Sequence, residues 1–138
     1  MKRFLIGISL LLVLSCKKHP ETFIKHMNGY WEIEHVTLPN GKTKNYTFNG
    51  TIDYIEVNDS LKGFRKKLKP NLDGTFGTSN SVETLTLVIE NDSLNAYYKT
   101  PYAQWKETIL FADETNLKVI NQDKKTYVYK RYSPLNLN

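Results

Sequence analysis

From residue 28 onward the apolar positions recur with a period of two rather than 3.6. In Tyr30 to Leu38, Trp31, Ile33 and His35 alternate with Glu32, Glu34 and Val36. That alternation predicts strands with one buried and one wet face. Pro39-Asn40-Gly41-Lys42 is a strong turn signal. Thr43 to Phe48, Thr51 to Asn58 and Leu61 to Lys69 read as the next three strands, with a turn at Pro70 to Gly74 and a short piece at Thr75 to Thr78. Val82 to Glu90, Leu94 to Thr100, Gln104 to Ala112, Asn116 to Asn121 and Lys125 to Tyr132 complete the series. After residue 16 no stretch of ten or more residues reads as a helix, and Glu21 to Met27 has room for one turn or two.

The connections are short and repetitive. Asn58-Asp59-Ser60-Leu61 and Asn91-Asp92-Ser93-Leu94 are the same four residues between strands. Asn, Asp and Ser bond locally to backbone, so they favour tight reversals. About nine strands joined in this way pair consecutively and antiparallel. An open sheet of that length would leave long unpaired edges. The pattern therefore predicts an all-β fold, an antiparallel up-and-down barrel of about eight to ten strands, with a β-sandwich as the alternative.

The N-terminus has a different character. Lys2 and Arg3 precede an uncharged run of eleven residues, Phe4 to Leu14. This is the length of a signal-peptide core and far below the roughly 20 residues that span a bilayer. Val13-Leu14-Ser15-Cys16 follows, and Cys16 is the only cysteine in the chain. These residues resemble a bacterial lipoprotein signal. The resemblance implies cleavage after Ser15, lipidation of Cys16 with palmitate-like chains, and anchoring by two or three chains without a spanning helix. The expected organisation is 1–15 signal peptide, 16–27 lipidated Cys and tether, 28–132 barrel and 133–138 C-terminal tail. No Asp or acidic cluster stands directly after Cys16, and the same resemblance then implies the inner leaflet of the outer membrane, facing the periplasm.

Composition closes several routes. One Cys and three His among 138 residues exclude an intramolecular disulfide and a Cys-based zinc cluster. Glycine-rich phosphate loops, Gly-x-Ser-x-Gly and His-x-x-x-His are absent from the sequence. The chain is therefore read as no enzyme, with no metal and no cofactor. The formal net charge of +5 falls to about +3 once Lys2 and Arg3 are removed, too little to argue for nucleic acid.

Two further motifs carry a family resemblance. Gly29-Tyr30-Trp31 resembles the Gly-x-Trp signature that opens the first lipocalin strand. Lys125 to Arg131 resembles the last strand of small lipocalin-like lipoproteins of the Bacteroidetes type. The resemblance implies that Trp31 closes one barrel end with Arg131 packed across its face, a cation–π contact of about 0.5–2 kcal/mol. The long helix that follows the barrel in true lipocalins has no counterpart here. Both Asp-Ser-Leu triplets resemble an O-glycosylation signal of the same phylum, with Ser60 and Ser93 as acceptors.

Candidate binding chemistry lies on the strands. Lys62, Arg65, Lys66, Lys67 and Lys69 place five positive charges in eight residues. Period-two geometry puts Arg65 and Lys67 on one face and Lys66 on the other. If their face points inward, Arg65 and Lys67 are expected to meet an anionic ligand head; a solvated edge strand is the plainer alternative. Glu107, His35 and Asp53 share faces with apolar residues and need partners, which Arg65, Lys67, Tyr127 and Tyr129 can supply. Tyr97, Tyr98, Tyr102 and Trp105 are a further aromatic group. The function expected is non-catalytic binding of a small apolar or amphipathic ligand by a lipid-anchored monomer. The alternative is a structural or assembly lipoprotein of the envelope whose barrel is filled by side chains.

Overall fold

The structure is a computed structural model that describes residues 19–47 and 49–133. Cys16, the signal segment and residues 134–138 lie outside the described residues. Strand β1 (Gly29–Thr37) is followed by β2 (Thr43–Asn45), β3 (Ile52–Val57), β4 (Lys62–Pro70) and β5 (Phe76–Glu90). Then come β6 (Ser93–Lys99), β7 (Gln104–Ala112), β8 (Asn116–Asn121) and β9 (Thr126–Arg131). Every neighbouring pair is antiparallel, and β1 pairs with β9 to close the sheet. Eight strands form the closed barrel; β2 is an extra strand on the far half of β1, from His35 to Thr37. The barrel, not the sandwich, is the fold.

Three differences from simple alternation have physical causes. The second predicted strand stops at Asn45, because its next partner would be Glu34, where the β1 register shifts; a single bond, from Tyr46 N–H to the Glu34 carbonyl, carries the ladder one step further. The short piece at residues 75–78 and the strand after it are one long strand, β5, irregular where Lys66 pairs with Val82 but Leu68 pairs with Thr78. In β1 the register shifts between Ile33 and His35, a bulge at Glu34. A bulge flips every later side chain. Val36 therefore takes the buried place, and His35 leaves the face of Trp31 and Ile33 on which alternation had put it.

One barrel end is closed. Helix α1 (Glu21–Ile24) is a single turn that buries Phe23 against Phe111, with ring centroids 6.0 Å apart. Met27 and Trp31 are fully buried beside it. The Trp31 indole N–H donates to the Met27 carbonyl at 3.0 Å. Leu85, Leu87, Leu94, Ala96, Ile109 and Val119 complete this half of the core. No helix of the described residues is long and apolar enough to cross a membrane.

Arg131 locks that end. Its guanidinium carbon lies 3.7 Å from the Trp31 ring centroid. It donates to the carbonyls of Asn28 at 2.7 Å, His26 at 3.0 Å and Glu114 at 3.1 Å. Gly29 makes room for it: a Cβ there would stand 2.5 Å from Arg131 Nη1, and its φ of +125° disfavours any L side chain. At Gly63 a Cβ would meet the Glu56 carbonyl oxygen at 1.7 Å, which only glycine avoids.

Trp31→Ala is expected to cost about 3–5 kcal/mol in urea unfolding, and Arg131→Ala less. Gly29→Ala is expected to be less harmful in an Arg131→Ala background than in the native one, because part of its cost is the collision with the guanidinium. Strict additivity in that double-mutant cycle would show that the two residues do not share this space.

Candidate functional site

The sheet register brings charged residues into the barrel. Asp53 lies opposite Lys67 across β3 and β4, and opposite Trp31 across β1 and β3. Arg65 lies opposite Glu83 on β5 and stands on the same inward face. Arg65 is paired with Glu83 and reaches across the interior to Glu107 on β7, with Nη1 3.3 Å from Oε2. Its guanidinium also covers the buried Tyr98 ring, 4.0 Å from the centroid. The other cation, Lys67, holds Asp53 at 2.9 Å. Neither cation of the expected anion site is unpaired.

Burial sets the protonation behaviour of this group. Desolvation raises the Glu107 pKa above the ordinary carboxylate value, and the Arg65 charge only partly offsets it. Desolvation also pushes the Tyr129 hydroxyl well up, with the Asp53 charge adding to the effect. At Arg65 burial alone would lower the pKa, but Tyr98, Glu107 and Glu83 carry it well above the usual value.

Beside these charges the open half of the barrel holds a cavity of about 210 Å³. Trp31, Ile33, Val36 and Ile52 give it apolar walls. Tyr46, Tyr127, Tyr129, Asp53 and Lys67 give it aromatic and polar ones. Lys67, Tyr127 and Tyr129 of the expected site thus line the cavity, whereas Arg65 and Glu107 do not and belong to the neighbouring ion-pair network. Tyr46 falls within the predicted Thr43 to Phe48 strand, one residue past the end of β2, and the Lys44 ammonium stands 5.0 Å from its ring centroid.

The remaining candidates are dispersed. Tyr98 stacks on Trp105 inside, at 5.5 Å, while Tyr97 is half-exposed and donates to Glu90, and Tyr102 projects into solvent. Ser60 is exposed in the β3–β4 turn, and Ser93 is half-buried as the first residue of β6. Lys66 faces outward near Tyr54 and Phe64. There Tyr30 packs on Tyr54 and stacks on Phe76, at centroid distances of 4.7 and 5.1 Å. This exterior group joins three hairpins, so no single strand's pattern announced it.

Residues 27–119 match the lipocalin-like domain family. The chain belongs to that family. Two solved structures share the fold. A lipocalin-like protein from Bacteroides uniformis superposes with a TM-score of 0.51 at 7% identity, over 78% of this chain and 99% of its own. An uncharacterised protein from Bacteroides eggerthii superposes with a TM-score of 0.50 at 11% identity, over 77% of this chain and 99% of its own. No curated protein matches this chain in sequence. A lipocalin-like barrel is typically a binding fold without catalysis, and eight strands give an interior that side chains fill or one small ligand occupies. In this lipocalin-like barrel side chains fill one half, and the other holds the cavity.

The raised Glu107 pKa has a definite sign. The folded chain holds that proton to higher pH than the unfolded chain does. The resulting stability is fully present below the unfolded carboxylate value of about 4.3 and is lost as pH rises through the raised folded value. Wild type is therefore expected to lose stability relative to Glu107→Gln as the pH rises from below the ordinary carboxylate value to above it. Urea unfolding of both proteins over a pH series that starts below the ordinary carboxylate value checks this, and a constant difference would show that the Glu107 pKa is not raised on folding.

Proposed function

We propose that this chain is a lipid-anchored, non-catalytic binding protein that takes a small amphipathic ligand in the open half of its barrel. The observation that carries the proposal is the cavity of about 210 Å³, apolar on one side and polar at Asp53, Lys67, Tyr127 and Tyr129. Drug-sized ligands occupy cavities of about 300–1,000 Å³, so the ligand is small and a long acyl chain does not fit. The anchor is lipidated Cys16 after cleavage at Ser15, which holds the barrel at the inner leaflet of the outer membrane on the periplasmic side. The Lys2-Arg3 start, the eleven-residue apolar run and the position of the only cysteine support that part.

A second reading has its own support. The closed half of the barrel is filled by Trp31, Met27, Leu85 and Leu94, all essentially without exposure. A structural or assembly lipoprotein needs no more than such a filled barrel, and would meet its partner through the exterior.

Short n-alkanols of increasing length separate the two. Titrated into the full chain, they are expected to bind saturably, to shift Trp31 emission, and to show a chain-length cut-off set by the cavity. A flat response at every length would favour the filled-barrel reading. The anchor has a separate test. The chain expressed with its signal is expected to fractionate with membranes and to carry a lipid mass on Cys16, and Cys16→Ser to release it or leave it uncleaved. Membrane association without that mass would defeat the assignment.

A further inference from the structure

Five charged side chains face the barrel interior: Asp53 on β3, Arg65 and Lys67 on β4, Glu83 on β5 and Glu107 on β7. Two are cations and three are carboxylic acids. Arg65 is engaged by two of the acids, Glu83 and Glu107, away from the cavity wall. Among the described residues, Asp53 is left with Lys67 as its ion-pair partner. The members of that pair are unequally placed, since the Asp53 side chain is 8% exposed and the Lys67 side chain 59%. The carboxylate is fixed in the wall, whereas the ammonium reaches it from solvent on a flexible stem.

A buried carboxylate requires a counter-charge. Lys67 can return to water at little cost, because an exposed ammonium is well solvated. Any other ammonium that takes its place keeps Asp53 paired. The neighbouring walls favour such a guest. Trp31, Tyr46, Tyr127 and Tyr129 all line the cavity, and aromatic faces attract cations most strongly where water is excluded. An acid would meet the opposite situation, with both interior cations already engaged and a carboxylate in the wall.

We propose that the cavity is a site for a small organic ammonium ion, with Asp53 as its counter-ion, the tyrosines as its walls and Lys67 as a resident ammonium that the ligand displaces. This rests on the reading that the cavity is a ligand site, and it names the class of ligand. Ile33, Val36 and Ile52 would receive the apolar body. Recognition is by exchange of one N–H donor for another on the same Asp53 oxygen, so the net charge inside the barrel does not change while Lys67 moves out.

Three probes of similar shape test it: 2-phenylethylammonium, 2-phenylethanol and phenylacetate. Each is titrated calorimetrically into the full chain in lipid nanodiscs, with empty nanodiscs as the baseline. The ammonium is expected to bind about tenfold or more tighter than the alcohol, the range for a charge-assisted hydrogen bond, and phenylacetate weakest. Asp53→Asn is expected to erase the preference. Lys67→Gln is expected to tighten the ammonium severalfold by removing its competitor, and it serves independently should Asp53→Asn fail to fold. Saturation by the alcohol or the acid with no preference for the ammonium would overturn the ammonium site and leave the binding reading standing. Saturation by none of the three would overturn both.

Discussion

The barrel depends on one guanidinium. Arg131 lies on the Trp31 ring and gathers the carbonyls of His26, Asn28 and Glu114. Those carbonyls come from the lead-in and from the β7–β8 turn. One side chain thus ties three carbonyls together while also covering the buried indole. Gly29 and Trp31 are two parts of the same device: the glycine vacates the volume that the guanidinium occupies, and the tryptophan supplies the surface beneath it.

Closing the barrel at that end determines what the other end can do. With Phe23, Met27 and Trp31 plugging one half, the interior charges are forced toward the middle and the open half. The Arg65 network links β4, β5, β6 and β7 across the interior. Breaking such a buried pair at one partner typically costs about 3–5 kcal/mol, although a well-packed apolar replacement of the whole group is often no worse. Its contribution is thus a fixed arrangement of charge more than added stability. The Lys67 side chain, by contrast, is more than half exposed.

Much of this was legible in the sequence, and the exceptions share a cause. Period two in segments such as Thr51 to Asn58, and the Asn-Asp-Ser-Leu turns, were enough for a closed antiparallel barrel, and Gly29-Tyr30-Trp31 with Arg131 located its sealed end. Alternation put Arg65 and Lys67 on one face and offered them, with Tyr127 and Tyr129, as partners for Glu107 and Asp53, but which face of β4 turns inward was left open until the register answered it. His35 was misplaced because a bulge at Glu34 is a local backbone event with no side-chain signature. The same holds in β7, where Ile109 and Ala112, three apart, are both buried and Phe111 instead packs on Phe23. The pairing of Arg65 with two acids was beyond reach, since Glu83 and Glu107 are 18 and 42 residues away and only the register brings them together.

The β1–β9 seam also sets the order of events in folding. Seven of the eight pairings that make the barrel join strands adjacent along it, but the seam joins residues about a hundred apart, as in the Arg131–Asn28 bond. Closing a loop of that length costs about 4 kcal/mol of chain entropy, against about 1.5 for a tight hairpin. The hairpins therefore form first and the seam last. Until it closes, β1 and β9 each present an unpaired edge that matches the other. A second chain offers the same complementary edge, so at high concentration the slow final step competes with exchange of β9 between two molecules.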